Sequence, residues 1–492
     1  MEPSPRSAPA PSAQGGPRLS PATWVILAGT AVRLVLSAVV PLGNDEAYYV
    51  DWARNLEPGY LDHPPAVAWL MALPLRTLGA HPYAVRLPAV LLHLATLWLA
   101  ASLVRARAGE RAALAAALGL QAAPAFAVGA SLIAPDAPLA FSWVGTLWAL
   151  DRALRLDPRL AVLAGAFLGL GALSKLHAGL LALAILAALL ASPEGRRLLR
   201  KPWPWLGVLL ALALASPMLL WNAAHGWPTL TFQASHGLGG RSFSAIRLLG
   251  SMGGQLLYFS PVLVLLAAAA SFAALRRRQD ALCAALAFSA LPVVAFFTLS
   301  AALTPGALPH WAAPGWLSAV ITLCLSVPPA SRWFRRALFV GYGETAVLLL
   351  GLLLLLSLPL PAAFSAFGRT APVSPGPLDD LVGWREGAAA ARAVAGEARL
   401  AAPHWIILGQ LGWYDGRSPA YVGERVTAPS LYDPDPLAAK RPLLVVTVDR
   451  LGPQLDSLER RLGPLEPAGT FQARQGDRLV RTYRFWWWRP RG

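Results

Sequence analysis

Residues 21–65 read PATWVILAGTAVRLVLSAVVPLGNDEAYYVDWARNLEPGYLDHPP, an apolar segment followed at once by Asp45, Glu46, Asp51, Asp62 and His63. An apolar run of about 20 residues crosses a hydrocarbon core as one helix. The acids therefore gather where the chain leaves the bilayer. Asn44 can cap a second, shorter helix whose first turn holds Asp45 and Glu46. At about 3.6 residues per turn, Asp45, Tyr48, Tyr49 and Trp52 share one of its faces, as in a helix lying at the interface with its aromatic rings at headgroup level. Pro58-Gly59 ends it. His63 precedes a proline and is extended, and Pro64-Pro65 can open the next helix, which holds Asp62 and His63 on a stiff corner.

The rest of the chain follows the same pattern. Of its 492 residues 56% are hydrophobic and only 14% charged, and the mean hydropathy is +0.49. That composition excludes an ordinary soluble domain. Backbone amides in lipid must bond internally, so the spanning segments are helices. The net charge of +16 does not indicate nucleic acid, because most basic residues ahead of the last span flank apolar segments. Cys283 and Cys324 sit inside apolar runs and read as small core residues.

Eleven spans are expected, near residues 22–41, 84–104, 112–130, 137–151, 159–173, 177–192, 204–221, 249–273, 281–302, 311–328 and 337–359. With the N-terminus cytoplasmic, eighteen Lys and Arg fall on inside segments. Six fall on outside ones, namely Arg54, Arg76, Arg86, Lys175, Arg241 and Arg247. This is the asymmetry that the positive-inside rule demands. Arg33 lies within the first span and reads as snorkelling or paired with another helix.

The expectation is an all-α multi-pass protein of the inner or plasma membrane. It divides into a disordered cytoplasmic tail (1–20), a transmembrane unit (21–360) with its first extracytoplasmic loop at 42–83, and an extracytoplasmic C-terminal domain (361–492). That last region reads as small and α/β, with a helix-like LVGWREGAAAARAVAGEA and strand-like HWIILG, PLLVVTVD and RTYRFWWW. FWWWRPR suits stacking on sugar rings or docking on headgroups equally well.

Outside that tail, the unusual polar residues collect on the outward side: Asp45, Glu46, Asp62 and His63, then Asp136, Lys175, His177, Gln233, His236, Arg241 and His310. Ionisable groups at membrane depth are costly, and five loops converging on one face point to a site. Read singly, Asp45, Glu46 and Asp136 fit helix starts and turns equally well, since acids in a first turn are favoured by the helix dipole. His177 and His310 read as packing residues.

The series NDEAYY, GYLDHPP, APDAPL, LSK and PHWAAPGWL, over residues 20–330, resembles the GT-C membrane glycosyltransferases, in the branch of protein O-mannosyltransferases and aminoarabinose transferases. The resemblance implies a sugar donor on a polyprenyl phosphate, transfer with inversion on the outward face, and Asp45 as general base with Glu46 supporting it. It implies His63, Lys175, Arg241 and Tyr49 around the donor phosphate, with Asp136 and His310 in support. It also implies a divalent ion between Asp62 and His236. The chain departs from the aminoarabinose transferases at Asp62-His63-Pro64, where they carry Glu-Lys-Pro, and at Tyr48, where they carry Arg. The implied partners are a lipid-linked donor, membrane lipid and a glycan, lipid or protein acceptor. A transporter or flippase would place its charges near the bilayer midplane. An O-antigen ligase or glycan polymerase fits the acid pair and the DHPP corner less well.

Overall fold

The computed structural model describes residues 19–239, 242–277, 279–357, 380–424, 427–449, 451, 455–475 and 478–490, except the side chains of His236, Leu238, Arg478 and residues 352–357. The expected tail 1–20 and the expected boundary at 361 lie almost wholly outside the described residues.

Helix α1 (Pro21–Val39) starts where Ser20 accepts the Thr23 N–H and proline takes the first position, where its missing N–H is harmless. After α2 (Asn44–Arg54) and α3 (Ala66–Leu78), α4 (Pro82–Ala122) runs through two expected spans. They meet at Gly109, whose φ of 80° suits glycine and few other residues. The bundle continues with α5 (Pro124–Ala127), α6 (Asp136–Arg155), α7 (Leu160–Ala172), α8 (Ala178–Ala191), α9 (Pro193–Leu199) and α10 (Trp203–Ala224). It ends with α11 (Pro228–Leu238), α12 (Ala245–Phe259), α13 (Pro261–Ala274), α14 (Ala281–Leu303), α15 (Ala313–Ser326) and α16 (Arg332–Ser357).

Among the described residues four helices, α1, α4, α10 and α14, are long and apolar enough to cross a membrane unaided. Two pairs, α8–α9 bent by 111° and α12 with the segment from Pro261 bent by 101°, raise that number to six. The protein is a multi-pass membrane protein, but its helices do not match the eleven expected spans one for one. The expected span 249–273 is broken at Ser260, which has φ 67°, and Pro261 starts the next helix without an N–H to continue the last one. Small residues bring α7 close to α10, and a Cβ on Gly165 would lie 2.1 Å from the Gly207 carbonyl oxygen. Arg33 pairs across helices, donating to Gln121 Oε1 at 2.9 Å and to the Phe126 carbonyl.

The C-terminal unit holds α17 (Trp384–Ala395), α18 (Trp405–Asp415), α19 (Pro429–Tyr432) and α20 (Leu455–Leu462). Its strands are β1 (Arg399–Ala402), β2 (Ala420–Tyr421), β3 (Leu443–Val448), β4 (Glu466–Gln475) and β5 (Arg478–Trp488), in the order β2-β1-β3-β5-β4. The β1–β2 and β1–β3 pairs are parallel; β3–β5 and β4–β5 are antiparallel.

One reading of this region is corrected. HWIILG is helical, because the His404 side chain caps the Ile406 N–H and the helix runs on to a left-handed Gly416. Trp488 is buried and donates to the Leu462 carbonyl, and the half-buried Trp486 donates to Thr447.

Candidate active site

Two neighbouring acids at the start of α2 have opposite environments. Glu46, 3% exposed, accepts Nε and Nη2 of the fully buried Arg86 at 2.7 and 2.5 Å. Its oxygens also take the Gly43 N–H at 3.0 Å and the Ile133 N–H at 3.1 Å. The remaining Arg86 donors go to the carbonyls of Ser37, Val40 and Pro41 at the end of α1. Glu46 thus caps the start of α2 through the Gly43 N–H and clamps α1, α2 and α4 together. The cap is Gly43 and not the expected Asn44, whose side-chain oxygen instead accepts from Gln410 at 3.0 Å.

Asp45 points the other way. Among the described residues it makes no hydrogen bond or ion pair, and it is exposed to solvent with protein on several sides. A carboxylate in that position lines a recess. Burial, then the charges of Glu46 and Asp136, push its pKa above the usual carboxylate range, with Lys175 opposing.

The corner at 55–63 is braced from several sides. The Tyr60 hydroxyl accepts the Glu57 N–H and donates to the carbonyls of Trp52 and Asn55, and its ring stacks on Trp52 at 4.3 Å. Gly59 lies against Trp221, where an added Cβ would come within 2.5 Å of the indole. Thr229 holds the Tyr60 carbonyl at 2.6 Å, and the Gln233 amide holds that of Asp62. The Asp62 carboxylate accepts the Tyr48 hydroxyl at 3.0 Å, and burial raises its pKa to about 6. His63 keeps an edge-on contact with Tyr49 at 6.4 Å and lies 3.5 Å from Gln233 through Nδ1. The Tyr49 hydroxyl makes no hydrogen bond among the described residues, and burial and the nearby Asp45, Asp62 and Asp136 keep it protonated.

At the starts of α6 and α8 the Lys175 ammonium holds both Asp136 oxygens, at 2.9 and 3.0 Å. Two donors are thereby used and one N–H is left over. His310 lies in the field of that pair, and burial lowers its pKa, so its imidazole is neutral at neutral pH. His177 is stacked on Phe297 at 4.3 Å, a packing role.

Asp45, Glu46, Asp62, His63, Tyr49, Asp136, Lys175 and His310 are thus collected at one end of the bundle. Arg241, Gly240 of the glycine-rich GLGGR stretch and the His236 side chain lie outside the described residues. Among the described residues no three His, Cys, Asp or Glu side chains converge as a metal-binding group, and Asp62 is already engaged by Tyr48.

Sequence reading missed the C-terminal unit's part in the site. Gln410, fully buried, donates to the Leu42 carbonyl and Asn44. Tyr432 donates to Asp51, the Ala428 N–H to the Tyr48 hydroxyl at 3.1 Å, and Arg54 to the Gly412 carbonyl at 2.6 Å. Tyr48 is therefore buried against this unit, and Tyr49 and Trp52 are buried in the same cluster, where headgroup contact was expected. These partners are more than 350 residues apart in the chain, and no local pattern marks them.

Residues 62–221 match the family model of dolichyl-phosphate-mannose-protein mannosyltransferases. No curated protein matches the chain. Among solved structures, ArnT from Cupriavidus metallidurans is similar over 94% of this chain and 97% of its own. The TM-score is 0.61 at 18% identity for its apo state and 0.63 at 17% for its complex with undecaprenyl phosphate. The Archaeoglobus fulgidus oligosaccharyltransferase, in a complex with Zn and sulfate, matches with a TM-score of 0.50 at 15% identity, over 86% of this chain and 67% of its own. The bent helical bundle and C-terminal sheet of this chain thus have the fold seen in ArnT, and the mannosyltransferase family model matches within that bundle.

Proposed function

We propose that this protein is an integral membrane glycosyltransferase that moves a sugar from a polyprenyl phosphate to an acceptor hydroxyl at the extracytoplasmic face. Asp45 takes the acceptor's proton. The freed oxygen bonds to the anomeric carbon from the side opposite the phosphate, the carbon–oxygen bond to the phosphate breaks, and the lipid phosphate leaves with inversion at the sugar. The oxocarbenium-like transition state gains from the same carboxylate's charge. The donor phosphate is met by the spare N–H of Lys175, the free Tyr49 hydroxyl, His63 and Arg241, with Asp136 as the counter-ion of Lys175 and His310 beside that pair. Glu46 acts through Asp45 by holding the start of α2.

The observation that carries this reading is the contrast within one helical turn. Asp45 is exposed and has no partner among the described residues, while Glu46 is spent on Arg86. A bound polyprenyl phosphate in a protein of the same fold supports the donor class.

The test is incubation of purified protein with a panel of polyprenyl-phosphate sugars and acceptors, scored by release of free lipid phosphate. Release by the native chain and its loss in Asp45→Asn, with the protein still folded and inserted, is the expected result. Full turnover by the Asp45 variant rejects Asp45 as base, and no release from any donor rejects the glycosyltransferase reading.

A further inference from the structure

Tyr48 is 4% exposed in the middle of α2, and its hydroxyl sits between partners from distant parts of the chain. It accepts the Ala428 N–H at 3.1 Å and donates to Asp62 Oδ2 at 3.0 Å. A backbone amide can only donate, so the hydroxyl proton is directed away from Ala428 and onto the carboxylate. The two bonds polarise one another in a single direction.

Both ends of this relay are stiff. On one side, the Thr427 N–H donates to Ser430 Oγ at 2.9 Å, the Ser430 hydroxyl donates to the Thr427 carbonyl at 2.7 Å, and Tyr432 latches onto Asp51 one turn further along α2. Gly409 of α18 lies so close to Ala47 and Tyr48 that a Cβ there would be 2.7 Å from the Tyr48 nitrogen. On the other side, the Asp62 carbonyl is held by Gln233. The Tyr48 ring is packed on Trp52 at 5.1 Å and Trp405 at 5.2 Å, so the hydroxyl has little freedom to choose other partners.

We propose that Tyr48 is a positioning residue through which the C-terminal unit fixes the Asp62–His63 corner at the transfer site, so that docking of that unit and competence of the site are one event. This rests on the glycosyltransferase reading above. Tyr48 touches neither donor nor acceptor in this scheme; it acts through Asp62.

Two variants break the relay, Tyr48→Phe at both of its bonds and Ala428→Pro at the one to the C-terminal unit. Tyr48→Phe removes only the hydroxyl. Ala428→Pro removes the N–H at a φ of −55° that proline can adopt and sets a ring carbon where that N–H met the Tyr48 hydroxyl, so this link is broken from the other side. Each is expected to lower kcat about ten-fold while KM for the lipid-linked donor moves by less than about two-fold, because misplacement of the corner affects the chemical step more than binding. The double variant is expected to lose no more than either single one, since the relay is already broken once. Hydrogen exchange of the amides at residues 60–63 should quicken in all three.

Additive losses, a change confined to KM, or unaltered protection at 60–63 overturns the proposal. An aromatic of purely structural importance would lower the unfolding temperature without that kinetic split or the non-additivity. If Tyr48→Phe does not fold, Ala428→Pro carries the same comparison. If the native chain releases lipid phosphate from no donor, the function reading fails, while exchange at 60–63 still decides whether Tyr48 links the two parts.

Discussion

The two ends of the helical bundle handle buried acid in opposite ways. At the end carrying Arg107 and Arg155, Asp151 is fully buried and both its oxygens are taken. Arg107 donates at 2.6 Å and Arg155 at 2.8–3.2 Å, and Arg107 also reaches Asp280 at 2.9 Å. At the other end Lys175 is spent on Asp136, and Asp62 settles for a phenol. Asp45 is left over. A fold removes unpaired buried charge wherever it can, since such charge is costly. The end where the accounting is left open is therefore the end at which to look for chemistry.

The largest effect that would break this contrast is at Asp45. Asp45→Asn should cut lipid-phosphate release by about 10²–10⁴-fold with an unchanged unfolding temperature, the range typical of a lost general base. A stability loss with turnover retained would place Asp45 among the structural acids. The same residue sharpens the contrast through pH. Burial and the neighbouring acids raise its pKa, so as pH falls it takes up a proton, and ceases to act as base, at a higher pH than the roughly 3.9 of an ordinary aspartate. A rate profile whose acid limb lies at or below that value would show the recess to be fully solvated.

Next in size is Arg86→Ala, which strands the buried Glu46 carboxylate and should cost about 3–5 kcal/mol in thermal or denaturant unfolding in detergent. Asp151→Asn should follow at about 1–3 kcal/mol, because its arginine partners are partly exposed and can recover solvent, and it should leave turnover of the folded fraction intact. Smallest is Arg489→Ala on the exposed Arg489–Glu466 pair, expected at no more than about 1 kcal/mol. A ranking with Asp151 above Arg86 would mean that the opposite end, and not the α1–α2–α4 clamp, dominates stability.

Hydropathy made the bundle legible because spanning a bilayer imposes length and composition on a continuous stretch, as at residues 21–39, and the acid-rich exit at Asp45–Asp62 was visible for the same reason. The strand reading of HWIILG failed because a short apolar run has no period of its own. The His404 cap and the packing of α18 on α2 decided it. The break at Ser260 was signalled only by Pro261, and a proline inside an apolar run also occurs without such a bend, as Pro217 and Pro292 show.

The sequence alone determined that this chain lives in a membrane and which polar residues leave the apolar core together, because each of these depends on local composition. Only the tertiary structure decided that Glu46 is clamped while Asp45 is free, that Lys175 already has a partner, and that Tyr48 joins the corner to a segment 380 residues away. Those outcomes depend on which side chains meet across distant segments, and pairing at a distance leaves no trace in the spacing of neighbours.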